Sequence, residues 1–173
     1  MPIVTVIGDG QLARMMQTEA TELGLTIRLL AGATDSSAAQ VTPDITVGDY
    51  TTLADVQSVA CGSSAVTFDH EHVPNEILHT LIDTGINVQP QPDALIYAQD
   101  KLEMRKKMKE LGLPVPWFTD VTDPSRLPSG KPICLKAIRG GYDGHGVWFT
   151  DNAPTLAAEL MDKGVHLMAE DKV

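Results

Sequence analysis

Ile3 to Ile7 is a short, β-branched, nearly continuous apolar run, the pattern of a strand buried on both faces of a parallel sheet. Gly8 ends it. Over 11–23 the apolar positions Leu12, Met15, Met16, Ala20 and Leu23 recur at helical spacing and Gly24 supplies a stop, so the chain opens as strand, glycine turn, helix. The same reasoning predicts a strand over 26–30, a helix over 52–60, a strand over 65–68, a helix over 74–83 with Pro74 in its first turn, and a short strand over 86–88. Strands and helices alternating at these lengths predict a doubly wound parallel sheet with right-handed crossovers.

The pattern changes near residue 90. Gln89-Pro90-Gln91-Pro92 has the stiffness of a linker, and a helix over 99–111 stops at Gly112 ahead of Pro114 and Pro116. Strands are expected over 133–137 and 147–149 on either side of a glycine-rich loop. A helix near 155–161 and a strand over 166–169 complete a small α+β unit built on an antiparallel hairpin. The expected division is 1–90 and 91–173, an α/β chain in two parts. No internal repeat or low-complexity segment interrupts it.

Composition narrows the partners. With 43% hydrophobic and 21% charged residues the chain can build a core, and a net charge of −10 repels a polyanion. Lys101, Arg105, Lys106, Lys107 and Lys109 share one helical stretch with Glu103 and Glu110, which reads as a solvated face, so nucleic acid is not an expected partner. Cys61 and Cys134 have neither disulfide nor metal-ligand spacing, which fits a reducing compartment. No apolar run approaches the roughly 20 residues that span a bilayer. The N-terminus lacks a signal-peptide layout, and the expectation is a cytoplasmic protein without a membrane partner.

Two glycine segments carry the chemistry. Gly8-Asp9-Gly10-Gln11-Leu12-Ala13 follows a strand and opens a helix, so its backbone N–H groups can meet an anion at the helix N-terminus. A dinucleotide site would also need an acidic residue at the end of the second strand. Ala31-Gly32-Ala33 stands there instead, which argues against NAD and leaves a phosphate-bearing small molecule, or a purely structural turn. The second segment runs from Lys136 to Gly146: a lysine ends a strand, and Gly140, Gly141, Gly144 and Gly146 fill the loop before the next one. Such a loop can fold over a triphosphate with unobstructed N–H groups, and Lys136 adds a cation. The lysine precedes the glycines, so this is neither a Walker loop nor a protein-kinase loop; a glycine-rich hairpin lid over ATP is the remaining reading.

Together, Gly8-Asp9-Gly10-Gln11-Leu12-Ala13-Arg14-Met15-Met16 and Arg139-Gly140-Gly141-Tyr142-Asp143-Gly144-His145-Gly146 resemble the two signatures of the N5-carboxyaminoimidazole ribonucleotide synthase family. Val66 to Pro74 and Ala98-Gln99-Asp100-Lys101 match further family segments, so the resemblance covers essentially the whole chain. It implies an ATP-grasp fold: 1–90 as a Rossmann-like N-terminal domain, and 91–173 as the linker helix and first ATP-grasp subdomain, with the C-terminal ATP-grasp part absent. The implied reaction joins 5-aminoimidazole ribonucleotide and bicarbonate, with ATP hydrolysis, through carboxyphosphate, a step of de novo purine biosynthesis.

Carried over by residue, the resemblance places Lys101 and Lys136 at the ATP phosphates and Gly141, Tyr142, Asp143, Gly144, His145, Gly146 and Val147 in the lid. Glu170, Asp171, Lys172 and Val173 fall on the strand that edges the adenine. Gly10, Gln11, Leu12 and Glu71 are the substrate-side candidates. No catalytic residue is assigned. Mg2+ is expected as a cofactor with its carboxylate ligands in the absent part, so this piece alone is expected to be inactive, and the family is commonly dimeric. Asp9 stands where a glycine or asparagine is more usual, so its carboxylate should point away from a phosphate, and Val147 stands where glutamine is frequent. Other readings are a different ATP-grasp ligase or a non-catalytic nucleotide-binding module. His70 and His72 read as loop-end hydrogen-bonding groups rather than metal ligands. Met15 and Met16 read as core packing, and Trp117 and Trp148 as buried in a core or domain interface.

Overall fold

The computed structural model describes residues 1–141 and 144–173 and divides into two compact units, Met1–Leu95 and Ile96–Val173. The first is a four-stranded parallel sheet in the order β3-β2-β1-β4, with β1 at Ile3–Ile7, β2 at Thr26–Ala31, β3 at Asp44–Val47 and β4 at Ala65–Phe68. Alternation sends Ile7, Leu30, Val66 and Phe68 to one face, where they pack with Val56 and Val59 of α2 (Leu53–Ala60) and Leu78 and Leu81 of α3 (Asn75–Asp83). Val6, Ile27, Leu29 and Ala31 face the other way, onto Ala13 and Ala20 of α1 (Gln11–Glu22). Apolar side chains on both faces of these strands are what the continuous apolar runs require.

Two sequence expectations change here. The short strand expected over 86–88 is a single parallel bridge, Val66 to Val88, flanked by bonds from Val66 N to Asn87 O and Gln89 N to Val66 O. The expected linker gives way after Gln91 to a helix, α4 (Pro92–Gln99), with Pro92 in its first turn, where a missing N–H costs nothing. Leu95 of α4 belongs to the first core.

The second unit starts with the C-terminal turn of α4 and α5 (Lys101–Glu110), then an antiparallel sheet in the order β5-β8-β6-β7. Its strands are β5 at Phe118–Asp120, β6 at Ser129–Ala137, β7 at Val147–Asn152 and β8 at Leu167–Asp171, and α6 spans Ala153–Asp162. Ile133, Leu135, Leu167 and Ala169 pack on Ala153, Ala157 and Leu160 of α6, with Trp148 half-buried against them. The register therefore sends Cys134, Lys136, Met168, Glu170, Val147 and Phe149 to the opposite face. No helix among the described residues is long and apolar enough to cross a membrane.

Candidate nucleotide and substrate sites

Lys136 comes from the last turn of β6 before the glycine loop, which places its side chain on the sheet face away from α6. Its ammonium pairs with Oε1 of Glu170, while Arg105 Nε donates to Glu170 Oε2 at 2.9 Å. The Glu170 side chain is only 5% exposed. Burial alone would push its pKa up, but the hydrogen bonds and charges of Lys136 and Arg105 outweigh burial and hold the carboxyl below its ordinary value. On the same face Cys134 is buried, and burial pushes its thiol pKa up.

The loop is tied to the start of α5. Asp100 caps that helix by accepting from Glu103 N at 3.0 Å, and its other oxygen accepts from Arg139 Nε at 3.0 Å. Lys101 N donates to Ile138 O at 3.0 Å and Lys101 Nζ to Gly141 O at 3.3 Å. Gly141 and Gly146 cross at the loop base: a Cβ on Gly141 would lie 2.6 Å from His145 O, and one on Gly146, whose φ is +70°, would lie 3.2 Å from Gly141 Cα. Lys101, Lys136, Gly141 and Gly146 thus gather at one end of β6, with exposed Gly144 and His145 in the loop. Tyr142 and Asp143 lie outside the described residues. Asp171 Oδ1 accepts from Lys131 Nζ at 2.6 Å, and Lys172 Nζ lies 5.2 Å from the Phe149 ring centroid. A cleft of about 680 Å³ nearby is lined by Ala137, Arg139, Trp148, Val165 and His166 and by neither Lys101 nor Lys136, so cleft volume and the placement of those two lysines point to different places. The charge placement is the better guide to an anion, because volume carries no sign.

In the first unit the glycine turn is organised by acids. Asp69, just past β4, accepts from Gly10 N at 2.8 Å through Oδ2, and Asp9 Oδ2 accepts from Gly32 N at 2.9 Å. The Asp9 carboxylate is thus directed at the turn after β2. The Gly10 N–H expected to face an anion is already used, which leaves the N–H groups of Gln11, Leu12 and Ala13 without i−4 acceptors at the uncapped start of α1. Gln11 Oε1 accepts from Ser37 Oγ at 3.1 Å, and Glu71 is half-buried in the loop after β4. A cleft of about 420 Å³ lies beside this turn, lined by Gly8, Asp9, Gly32, Asp49, Tyr50 and His70 and by none of Gly10, Gln11, Leu12 or Glu71.

Leu12 and Met15 are 57% and 56% exposed and line an apolar groove with Met16, so the core-packing expectation fails for Met15; the α1 face that meets the sheet is the one carrying Ala13 and Ala20. Trp117, expected to be buried, is 43% exposed beneath Lys131. Beyond β4 the chain turns, and His72 N donates to His70 Nδ1 at 3.1 Å. Burial lowers the His70 pKa against the pull of Asp69. Among the described residues no three His, Cys, Asp or Glu side chains are grouped as a metal site. Arg105 and the Glu170 side chain are the site residues that sequence reading missed: Arg105 looked like one of a set of solvated basic positions, and nothing local marks the one that meets β8.

The chain belongs to the ribonucleotide synthetase preATP-grasp domain family, whose model matches residues 1–99. Over its whole length it is similar to N5-carboxyaminoimidazole ribonucleotide synthases. It is 59% identical to that of Corynebacterium ammoniagenes, covering 100% of this chain and 44% of the relative, and 43% identical to that of Mycobacterium tuberculosis, covering 99% and 42%. The crystal structure of an N5-carboxyaminoimidazole ribonucleotide synthetase in its ADP complex superposes with a TM-score of 0.88 at 28% identity, over 99% of this chain and 47% of that one. The chain therefore spans less than half the length of these relatives.

Proposed function

We propose that this chain carries the N-terminal Rossmann-like domain (1–90) and first ATP-grasp subdomain (91–173) of an ATP-dependent ligase that carboxylates 5-aminoimidazole ribonucleotide with bicarbonate, giving N5-carboxyaminoimidazole ribonucleotide in de novo purine biosynthesis in the cytoplasm. The observation that carries the nucleotide part is a glycine loop held by the Lys101 ammonium at Gly141 O and entered from a strand whose Lys136 pairs with Glu170. Whole-length similarity to synthases of that name, one solved with ADP, supports the rest.

Bicarbonate is a poor electrophile, and phosphorylation converts it to a species from which carbon dioxide can be captured by an amine. Phosphoryl transfer depends on positioning and on neutralising charge at the phosphate oxygens. Lys136 and Lys101 supply cations, the loop glycines supply N–H groups, and Glu170 to Val173 offer backbone groups along the adenine edge. In the first unit the start of α1, with Gly10, Gln11 and Leu12, and Glu71 lie on the substrate side. Mg2+ would neutralise the transferring phosphoryl, but the described residues offer no grouped ligands for it, so none of their carboxylates is assigned to it. A homodimer is the expected assembly.

The test is phosphate release by the gene product at its full length, given ATP and bicarbonate, with and without 5-aminoimidazole ribonucleotide. Release that depends on the ribonucleotide is expected; release indifferent to it would move the assignment to another ATP-grasp ligase.

A further inference from the structure

Lys136 is not a lone cation. One carboxylate oxygen of Glu170 holds its ammonium and the other accepts from Arg105 Nε at 2.9 Å. Side-chain exposures of 5% for Glu170, 18% for Arg105 and 22% for Lys136 mean that all three charges are largely withdrawn from water. Neighbours in register on that face, Cys134 beside Glu170 and Met168 beside Lys136, offer no substitute charge. An anion that recruits Lys136 therefore competes with Glu170 for its ammonium. With Lys136 as its sole partner, Glu170 would be left as an uncompensated buried carboxylate, which a protein interior strongly resists. With Arg105 on its second oxygen, Glu170 keeps a counter-ion when Lys136 leaves.

We propose that Arg105 is a positioning residue that makes Lys136 exchangeable, so that its ammonium can pass from Glu170 to a phosphate of a bound nucleotide. The destination rests on the nucleotide reading above; the exchangeability rests only on the trio. The exchange breaks no covalent bond, and Glu170 stays ionised throughout. Arg105 sits on α5, the helix whose first turn also holds the loop through Asp100 and Lys101, so one helix sets both the loop base and the readiness of Lys136.

The test is trace acylation of lysine amines by an N-hydroxysuccinimide acetate, read at Lys136 by peptide mass spectrometry and normalised to exposed Lys163, with and without ADP. Arg105→Gln makes Lys136 the sole partner of Glu170, and the undivided carboxylate should hold its ammonium more tightly and slow its labelling on the order of tenfold. Arg105→Lys should label like the wild type, and Arg105→Gln with Glu170→Gln should restore labelling. Arg105→Met carries the same expectation as Arg105→Gln should the amide variant unfold. Unchanged or faster labelling in Arg105→Gln or Arg105→Met, or failure of the double variant to restore it, overturns the proposal whatever ADP does. ADP should protect Lys136 in the wild type. Absence of that protection with the labelling order intact would overturn the nucleotide reading and leave the role of Arg105 standing.

Discussion

Replacing Gly8 by alanine should remove much of the first unit's stability, for two reasons that can be separated. Gly8 has φ of +112°, where an L side chain is strained by about 1–3 kcal/mol. Its added Cβ would also lie 1.8 Å from Asp69 Oδ1 and 2.8 Å from Asp69 Cγ, so the carboxylate must move. The Asp69 side chain is 5% exposed and holds Gly10 N at 2.8 Å, a charged hydrogen bond whose loss costs about 1.5–3 kcal/mol. The sum, about 2.5–6 kcal/mol, is a large part of the roughly 5–15 kcal/mol that holds a typical domain. Both tryptophans lie in the second unit, so the assay is native-state amide hydrogen exchange of peptides covering 3–7 and 65–68. In an Asp69→Ala background the obstructing oxygen and Cγ are gone, and Gly8→Ala should then cost only the backbone part, with His70 Cδ2 at 2.9 Å as the remaining close atom. The two changes should thus be non-additive by more than about 1 kcal/mol. A Gly8→Ala variant within about 1 kcal/mol of the wild type, or strict additivity, would refute this account of the turn.

Asp100→Ala removes both the cap on Glu103 N and the partner of Arg139, and because Arg139 is largely exposed, most of the expected loss of about 1–2 kcal/mol comes from the cap; a thermal melt of the second unit by tryptophan fluorescence checks it. Glu170 is ionised more readily folded than unfolded, so its contribution is fully present above its ordinary value of about 4.5 and is lost as pH falls through its lower folded value. Acid titration of the same fluorescence should show the wild type losing stability through that window, with a shallower loss in Glu170→Gln; equal slopes would mean that Glu170 is not the linked group.

The strands and helices of the first unit were legible wherever apolar periodicity ran uninterrupted. β3 was not: Asp44–Val47 is a four-residue edge strand of only partly covered residues and leaves no run to detect. α4 was hidden by its own start, since Gln89-Pro90-Gln91-Pro92 reads as a linker although Pro92 suits a first helical turn. Met15 misled because helical spacing says which residues share a face but not whether a sheet reaches that far; the sheet meets α1 at Ala13 and Ala20. The glycine loop and its lysine stood out as a candidate site because that much glycine next to a strand-ending cation has few structural uses. The Arg105–Glu170 contact was not, since it joins positions 65 residues apart.

That long-range contact also shows how a chain of net charge −10 can carry a local excess of positive charge. Several of its acids are spent locally before they can repel anything at a distance: Asp69 on Gly10 N–H, Asp9 on Gly32 N–H, and Asp100 on Glu103 N–H and Arg139. Each bond spreads a carboxylate's charge onto backbone or guanidinium donors and fixes its direction. Glu170 differs in being matched by two cations, so its trio carries one net positive charge on the face where Lys136 emerges. At separations within the Debye length of about 8–10 Å that local balance, rather than the total for the chain, decides what a phosphate meets at the loop.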